Sequence, residues 1–214
     1  MRALQPNAGR APQIGMRTLL WMALIVPTIA AAQARDQEIR LARSAAPADV
    51  SKDAKVYVLD HDHYIVADPG RSTESCLVAR PMQQAFAPMC GDPEADGTIL
   101  AVERFRSIEV LAGKSPDVIK QEIAAGFKSG RFHAPKRPAL IFMMSSAQLL
   151  PNPDFTKIGK FQPHLMVFYP GMHNADYGLV DSNDNNVPGV IEADSPMSAM
   201  IVVMHDWVDP APTQ

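Results

Sequence analysis

Three unbroken apolar runs, Ala139–Met144, Leu165–Tyr169 and Ala199–Met204, constrain this chain more than any other feature. Each is too short for a buried helix with its own caps and suits a strand. A run that is apolar throughout, rather than alternating, implies cover on both faces. These runs are therefore expected to be central strands, with helices on one side and loops or a second layer on the other. The segments between them, notably Pro151–Asp154 and Asp181–Gly189, are rich in Pro, Asn, Asp and Gly and read as loops.

Upstream, Lys55–Leu59 and Tyr64–Ala67 are short β-branched and aromatic runs followed by the turn signal Asp68-Pro69-Gly70, a hairpin pattern. Cys76–Ala79 and Phe86–Cys90 follow as two more strands. Pro88 argues for an edge position in the second, because proline cannot donate to a ladder. Between these and the apolar runs, Ala101, Phe105, Ile108 and Ala112 recur at helical spacing up to Gly113. Ser115-Pro116-Asp117 then supplies an N-cap, a first-turn proline and a first-turn acid for a second helix with the stripe Ile119, Ile123 and Phe127, ending at Ser129-Gly130. The expected fold is α+β: one domain over 53–208, a mainly antiparallel sheet packed against a helical hairpin, with a short tail over 209–214.

The N-terminus has the layout of an export signal. Arg10 and Arg17 precede the apolar run Thr18–Ile29, which is interrupted by Pro27, and Ala32-Gln33-Ala34 offers a cleavage site. The expectation is residues 1–34 as a signal peptide cut near Ala34, a flexible lead-in over 35–52, and a periplasmic or secreted protein that meets the membrane only through that signal. Met16 offers an alternative start to Met1. Removing residues 1–34 takes three of the 20 basic residues and none of the 23 acidic ones, moving the formal charge from −3 to −6. That sign makes nucleic acid an unsuitable partner. An oxidising compartment and an even count favour a disulfide between Cys76 and Cys90, which removes both thiols as nucleophiles or ligands.

Cys76-Leu-Val-Ala-Arg80, Ser129-Gly-Arg-Phe-His-Ala-Pro135, Pro163-His-Leu-Met166 and Asn174-Ala-Asp176 together resemble a group of exported bacterial proteins of unknown function, over about Pro47 to Met204. The resemblance implies an exported single domain and carries no catalytic residue.

The sequence lacks GxSxG, HExxH, Walker, GxGxxG and CxxC patterns. His61 and His63, two apart, would share a face in a strand and could offer two imidazoles to one metal, but Asp60–His63 reads as an exposed hairpin tip. His164 and His205 each flank an expected core strand, where a side chain can reach a cleft. With Asp176 they form the catalytic candidates. Asp181, Asn183, Asn185, Val187 and Glu192 fall at ligand positions of a twelve-residue calcium loop, with Asn186 in place of the usual glycine and no flanking helices. An Asn/Asp-rich surface loop is the favoured reading, so calcium is a minor alternative and no cofactor is expected. Lys128, Arg131, Lys136 and Arg137, beside His133, form a basic patch that could hold an anion or simply complement a helix C-terminus. Met143, Met144, Met166, Met200 and Met204 are read as strand residues filling core rather than as thioether ligands.

Two functional expectations follow. The preferred one is a non-enzymatic exported domain that binds a small molecule or a protein, on the strength of the absent motifs and the long polar loops Ala147–Pro163 and Pro170–Asp194. The alternative is a hydrolase-like or metal-assisted enzyme using His164, His205 and Asp176.

Overall fold

The computed structural model describes residues 26–152, 156–181 and 187–212, with backbone alone over 26–30. Residues 1–25, which hold the expected basic region and most of the apolar run of the export signal, lie outside the described residues. A compact unit spans Arg35–Gln214. No described helix is long and apolar enough to cross a membrane.

The fold is α+β. Helices α1 (Val26–Arg43) and α2 (Ala48–Ser51) lead into the hairpin of β1 (Lys55–Asp60) and β2 (His63–Asp68). Strands β3 (Ser75–Ala79) and β4 (Ala87–Gly91) come next, then α3 (Pro93–Gly97), α4 (Ile99–Leu111) and α5 (Pro116–Ser129). The chain finishes with β5 (Ala139–Met143), the two-residue strands β6 (Leu150–Pro151) and β7 (Ile158–Gly159), β8 (His164–Phe168), a 3-10 turn over Asn174–Tyr177, β9 (Gly189–Ile191) and β10 (Ala199–Val203). The main sheet has the order β2-β1-β3-β4-β5-β8-β10-β9, antiparallel except between β1 and β3; β6 and β7 form a separate ribbon.

The helical hairpin is capped as its residues dictate. Ser115 Oγ accepts from the Val118 amide at 3.4 Å, Pro116 opens α5, and Gly130 closes it in the left-handed conformation at φ +79°. Strand alternation then divides the interior into two cores. Leu77, Ala79, Met89, Ile141, Met166 and Phe168 face α3, α4 and α5. Val56, Val58, Cys76, Val78 and Cys90 face the other way, against Ala42, Ala45 and Ala46.

That second core corrects the expectation of a flexible lead-in over 35–52. The segment is helical through Arg43, resumes as α2, and buries Ala42, Ser44, Ala45, Ala46 and Ser51. Its apolar face consists largely of alanine, which adds little hydrophobic signal to a helical plot but lets a helix approach a sheet closely. Ile39 and Leu41 complete the contact. Arg43 is paired with Asp68 at 2.8 Å, and Arg35 donates to the Ala67 carbonyl at 3.1 Å beside the register shift in β2.

Pro88 is not on an edge, since β4 lies between β3 and β5. The β4–β5 ladder covers only Cys90 and Gly91, and the next bond on that side joins Phe86 to Leu149. In a strand the amides of 86, 88 and 90 point the same way, so Pro88 sits in the gap between the two sets of bonds and no ladder bond is lost.

The long apolar runs also differ in detail. They lie centrally, but β5 and β8 alternate between buried and half-buried residues instead of being covered on both faces. The fully buried strands are β3 and β4, which have α3 to α5 against one face and the 39–54 segment against the other.

Candidate functional site

The sequence-derived catalytic candidates do not meet. His164 opens β8 and is buried, paired in register with Met143 on one side and Val203 on the other. Burial depresses its pKa, partly offset by the bond between Nδ1 and the Gln162 carbonyl at 2.7 Å, and its ring stands edge-on to Phe161. The Gln148 amide also donates to the Gln162 carbonyl, at 3.2 Å, so a buried histidine and a buried glutamine jointly fix the approach to β8. His205 lies two residues beyond Val203, at the same end of the sheet, but is exposed. Asp176 belongs to the 3-10 turn beyond the other end of β8, where its carboxylate accepts from the His173 amide at 2.8 Å. Five strand residues, roughly 13 Å from first to last, separate the two ends.

The other candidates are engaged elsewhere. Asn183 and Asn185 of the calcium pattern lie outside the described residues. Of the rest, Asp181 accepts from the Asn174 side-chain Nδ2 at 2.6 Å, Val187 is exposed, and Glu192 accepts from Ser195 Oγ at 3.4 Å. No group of three His, Cys, Asp or Glu able to hold a metal occurs among the described residues. His61 and His63 flank the tip of the β1–β2 hairpin, each bonded to the aspartate before it. In the basic patch, Arg131 lies over the rings of Phe105 and Phe132, 4.4 and 5.3 Å from their centroids. Glu94 receives the Arg137 guanidinium at 3.1 Å and the Lys136 amide at 2.8 Å, and Lys128 remains exposed on the last turn of α5.

Among the described residues a groove of ≈ 490 Å³ opens at the β9 edge of the sheet, lined by His173, Asn174, Leu179, Asp181, Val190 and Ala193 among others. The described parts of the long polar loop between β8 and β10, residues 170–181 and 187–194, supply it. The loop is held by side chains acting on backbone. Asn174 Oδ1 accepts from the Val190 amide at 2.7 Å, capping the outer side of β9, while its amide group orients Asp181. His173 bridges the two arms of the loop, with Nε2 2.8 Å from Asp194 Oδ1 and Nδ1 3.9 Å from Asp176 Oδ2. Glu192 and Asp194 adopt φ of +49° and +63°, conformations that cost strain for residues bearing a side chain. Tyr177, Val180 and Ile191 leave apolar surface exposed nearby, Val180 at 80%.

One sequence signal marks this region. After Lys160 the chain contains no lysine or arginine, yet it carries Asp176, Asp181, Asp184, Glu192, Asp194, Asp206 and Asp209. Residues 35–160 are close to neutral, with 17 basic against 16 acidic residues, so the net negative charge belongs to the final quarter of the chain.

The chain matches no family model, no curated protein and no solved structure.

Proposed function

We propose that this is a non-enzymatic binding domain working outside the cytoplasm, with the groove at the β9 edge as its binding surface. The groove itself carries the reading: it has the size of a ligand site, apolar residues line it, and a few polar side chains are fixed within it by hydrogen bonds. The buried Cys76–Cys90 disulfide and the export-signal layout of residues 1–34 support the location. The enzyme alternative required His164, His205 and Asp176 in one cleft, an arrangement that the register of β8 does not favour.

A thermal-shift panel of amines, amino acids, short peptides, sugars and carboxylates tests the reading, run on the wild-type protein and on Ala175→Arg, which places a bulky side chain on an exposed part of the groove wall. A compound that binds the folded state raises Tm by mass action, and this account expects the rise to vanish in the variant. A compound that stabilises both proteins equally binds elsewhere and contradicts the reading.

A further inference from the structure

We propose that the groove and the sheet face beside it form one docking surface for a basic, apolar peptide segment of a partner protein; this rests on the groove being the binding surface. The first observation is a row of apolar side chains outside both buried cores of the described residues. Val190 pairs with Met200, Met200 with Val167, and Val167 with Leu140, so the four project from the same face of β9, β10, β8 and β5. Their neighbours Ala139, Ile141, Met166 and Ala199 point into the core under the helices, which places the row on the opposite face. All four are half-buried: the core formed with the 39–54 segment on this face takes in residues of β1 to β4 and Phe142 of β5 but none of these four. Val190 also lines the groove, so row and groove are continuous.

Size selects a segment over a small molecule. Four adjacent strands span roughly 14 Å, further than a single amine or amino acid reaches.

Charge selects the sign of the partner. Asp181 lines the groove end of the row, Asp176 follows the lining residue Ala175, and Glu192 and Asp194 flank the lining residue Ala193. His173, also in the lining, pairs with Asp176 and Asp194, and the sequence from residue 161 onward holds no lysine or arginine to offset the carboxylates. A lysine- or arginine-bearing segment would find carboxylates at that end and apolar contact along the row, whereas an acidic segment would be repelled. Pairing of the segment with the β9 backbone is not part of the arrangement, because Asn174 already occupies the outward Val190 amide. Side-chain contact therefore provides the recognition.

The test uses fluorescein-labelled peptides alternating leucine with lysine, with acetyl-lysine or with glutamate, titrated into the full-length protein by anisotropy. The lysine peptide is expected to bind about tenfold tighter than the acetylated one, and to weaken as salt is raised from about 0.1 M towards 1 M. Asp176→Asn and Asp181→Asn, which keep side-chain shape and hydrogen-bonding oxygens, are each expected to weaken it several-fold. Equal binding of the lysine and acetyl-lysine peptides, abolished by Ala175→Arg, overturns the basic class and leaves the groove reading standing. Lysine-peptide binding that Ala175→Arg does not change overturns both. Failure of every peptide to bind, or a self-association in sedimentation that removes the surface, overturns the peptide inference alone.

Discussion

Cys90 Sγ lies 3.5 Å from the Ala42 carbonyl oxygen, so the last turn of α1 forms the roof over the Cys76–Cys90 disulfide. Both half-cystines are fully buried and sit directly opposite each other on β3 and β4. A disulfide sulfur carries no proton, so the approach is a packing contact. It makes access to the bond depend on α1 staying in place.

Reductant should therefore act slowly on the native protein and rapidly once α1 leaves the sheet. Thiol labelling after dithiothreitol treatment checks this: the folded protein is expected to label little, and Ala42→Arg, which drives a charged side chain into the contact, is expected to label readily. Replacing both cysteines by alanine should cost about 3 kcal/mol in urea unfolding, as expected for a bond closing a loop of this length. Rapid reduction of the wild-type protein in native buffer contradicts the roofed arrangement.

His164 gives stability a pH dependence of defined sign. Burial disfavours its charged form, so its folded pKa lies below the ordinary 6.5. Below that pH the unfolded chain binds the proton more readily, and stability falls as pH drops through the window between the unfolded and folded values, by at most about 1.4 kcal/mol per pH unit. Urea melts of the wild type and His164→Gln between pH 7 and pH 5 should show the slope in the first and a flatter line in the second. Parallel lines would contradict the burial account.

Asp96 joins the start of β1 to the helical layer. Lys55 reaches it at 2.7 Å, Arg104 at 3.3 Å and the Tyr57 hydroxyl at 3.3 Å, with the Arg104 guanidinium 4.2 Å from the Tyr57 ring centroid. Burial raises the carboxyl pKa, but the Lys55 hydrogen bond and the two cations more than offset this, leaving it below the ordinary range. Asp96→Asn should cost about 2 kcal/mol by leaving two partly buried cations without their counter-charge. A double-mutant cycle with Lys55→Met is expected to show coupling of about 1 kcal/mol, and additive costs would contradict the network.

Gly126 exists for Phe132. A Cβ at 126 would lie 2.3 Å from Cδ2 of that ring, which folds back onto α5 and packs against Phe105 and Phe127 at centroid distances of 5.3 and 5.8 Å. Gly126→Ala improves helix propensity yet should destabilise by about 2 kcal/mol through overpacking, measurable in urea melts. An unchanged or raised midpoint would mean that the ring has room to move.

The sequence made the sheet-and-hairpin plan legible because those elements rest on strong local signals: apolar runs, Ser115-Pro116 at a helix start, Gly130 at its end. The partnership of the two cysteines was legible from their number and expected compartment. Helix α1 was not, because Ala42 is its buried apolar residue, Ile39 and Leu41 are only partly buried, and the remaining contact comes from Ala45 and Ala46 in the turn that follows. Pro88 misled because β5 parts from β4 where the proline stands, an event local to the fold. The groove was legible only as a long polar loop, since Asn174 capping Val190 and His173 bridging Asp176 and Asp194 depend on the path of irregular backbone. Its charge was visible all along in the absence of lysine and arginine beyond Lys160.

The groove as binding surface is tested by amide chemical-shift mapping on the labelled full-length protein, titrated with whichever panel compound raises Tm. Perturbations are expected to concentrate at His173, Asn174, Leu179 and Val190, extending to Met200 and Val167 for a peptide. Perturbations centred on His164 and His205 at the opposite end of β8 and β10, with the β9 edge silent, would contradict it.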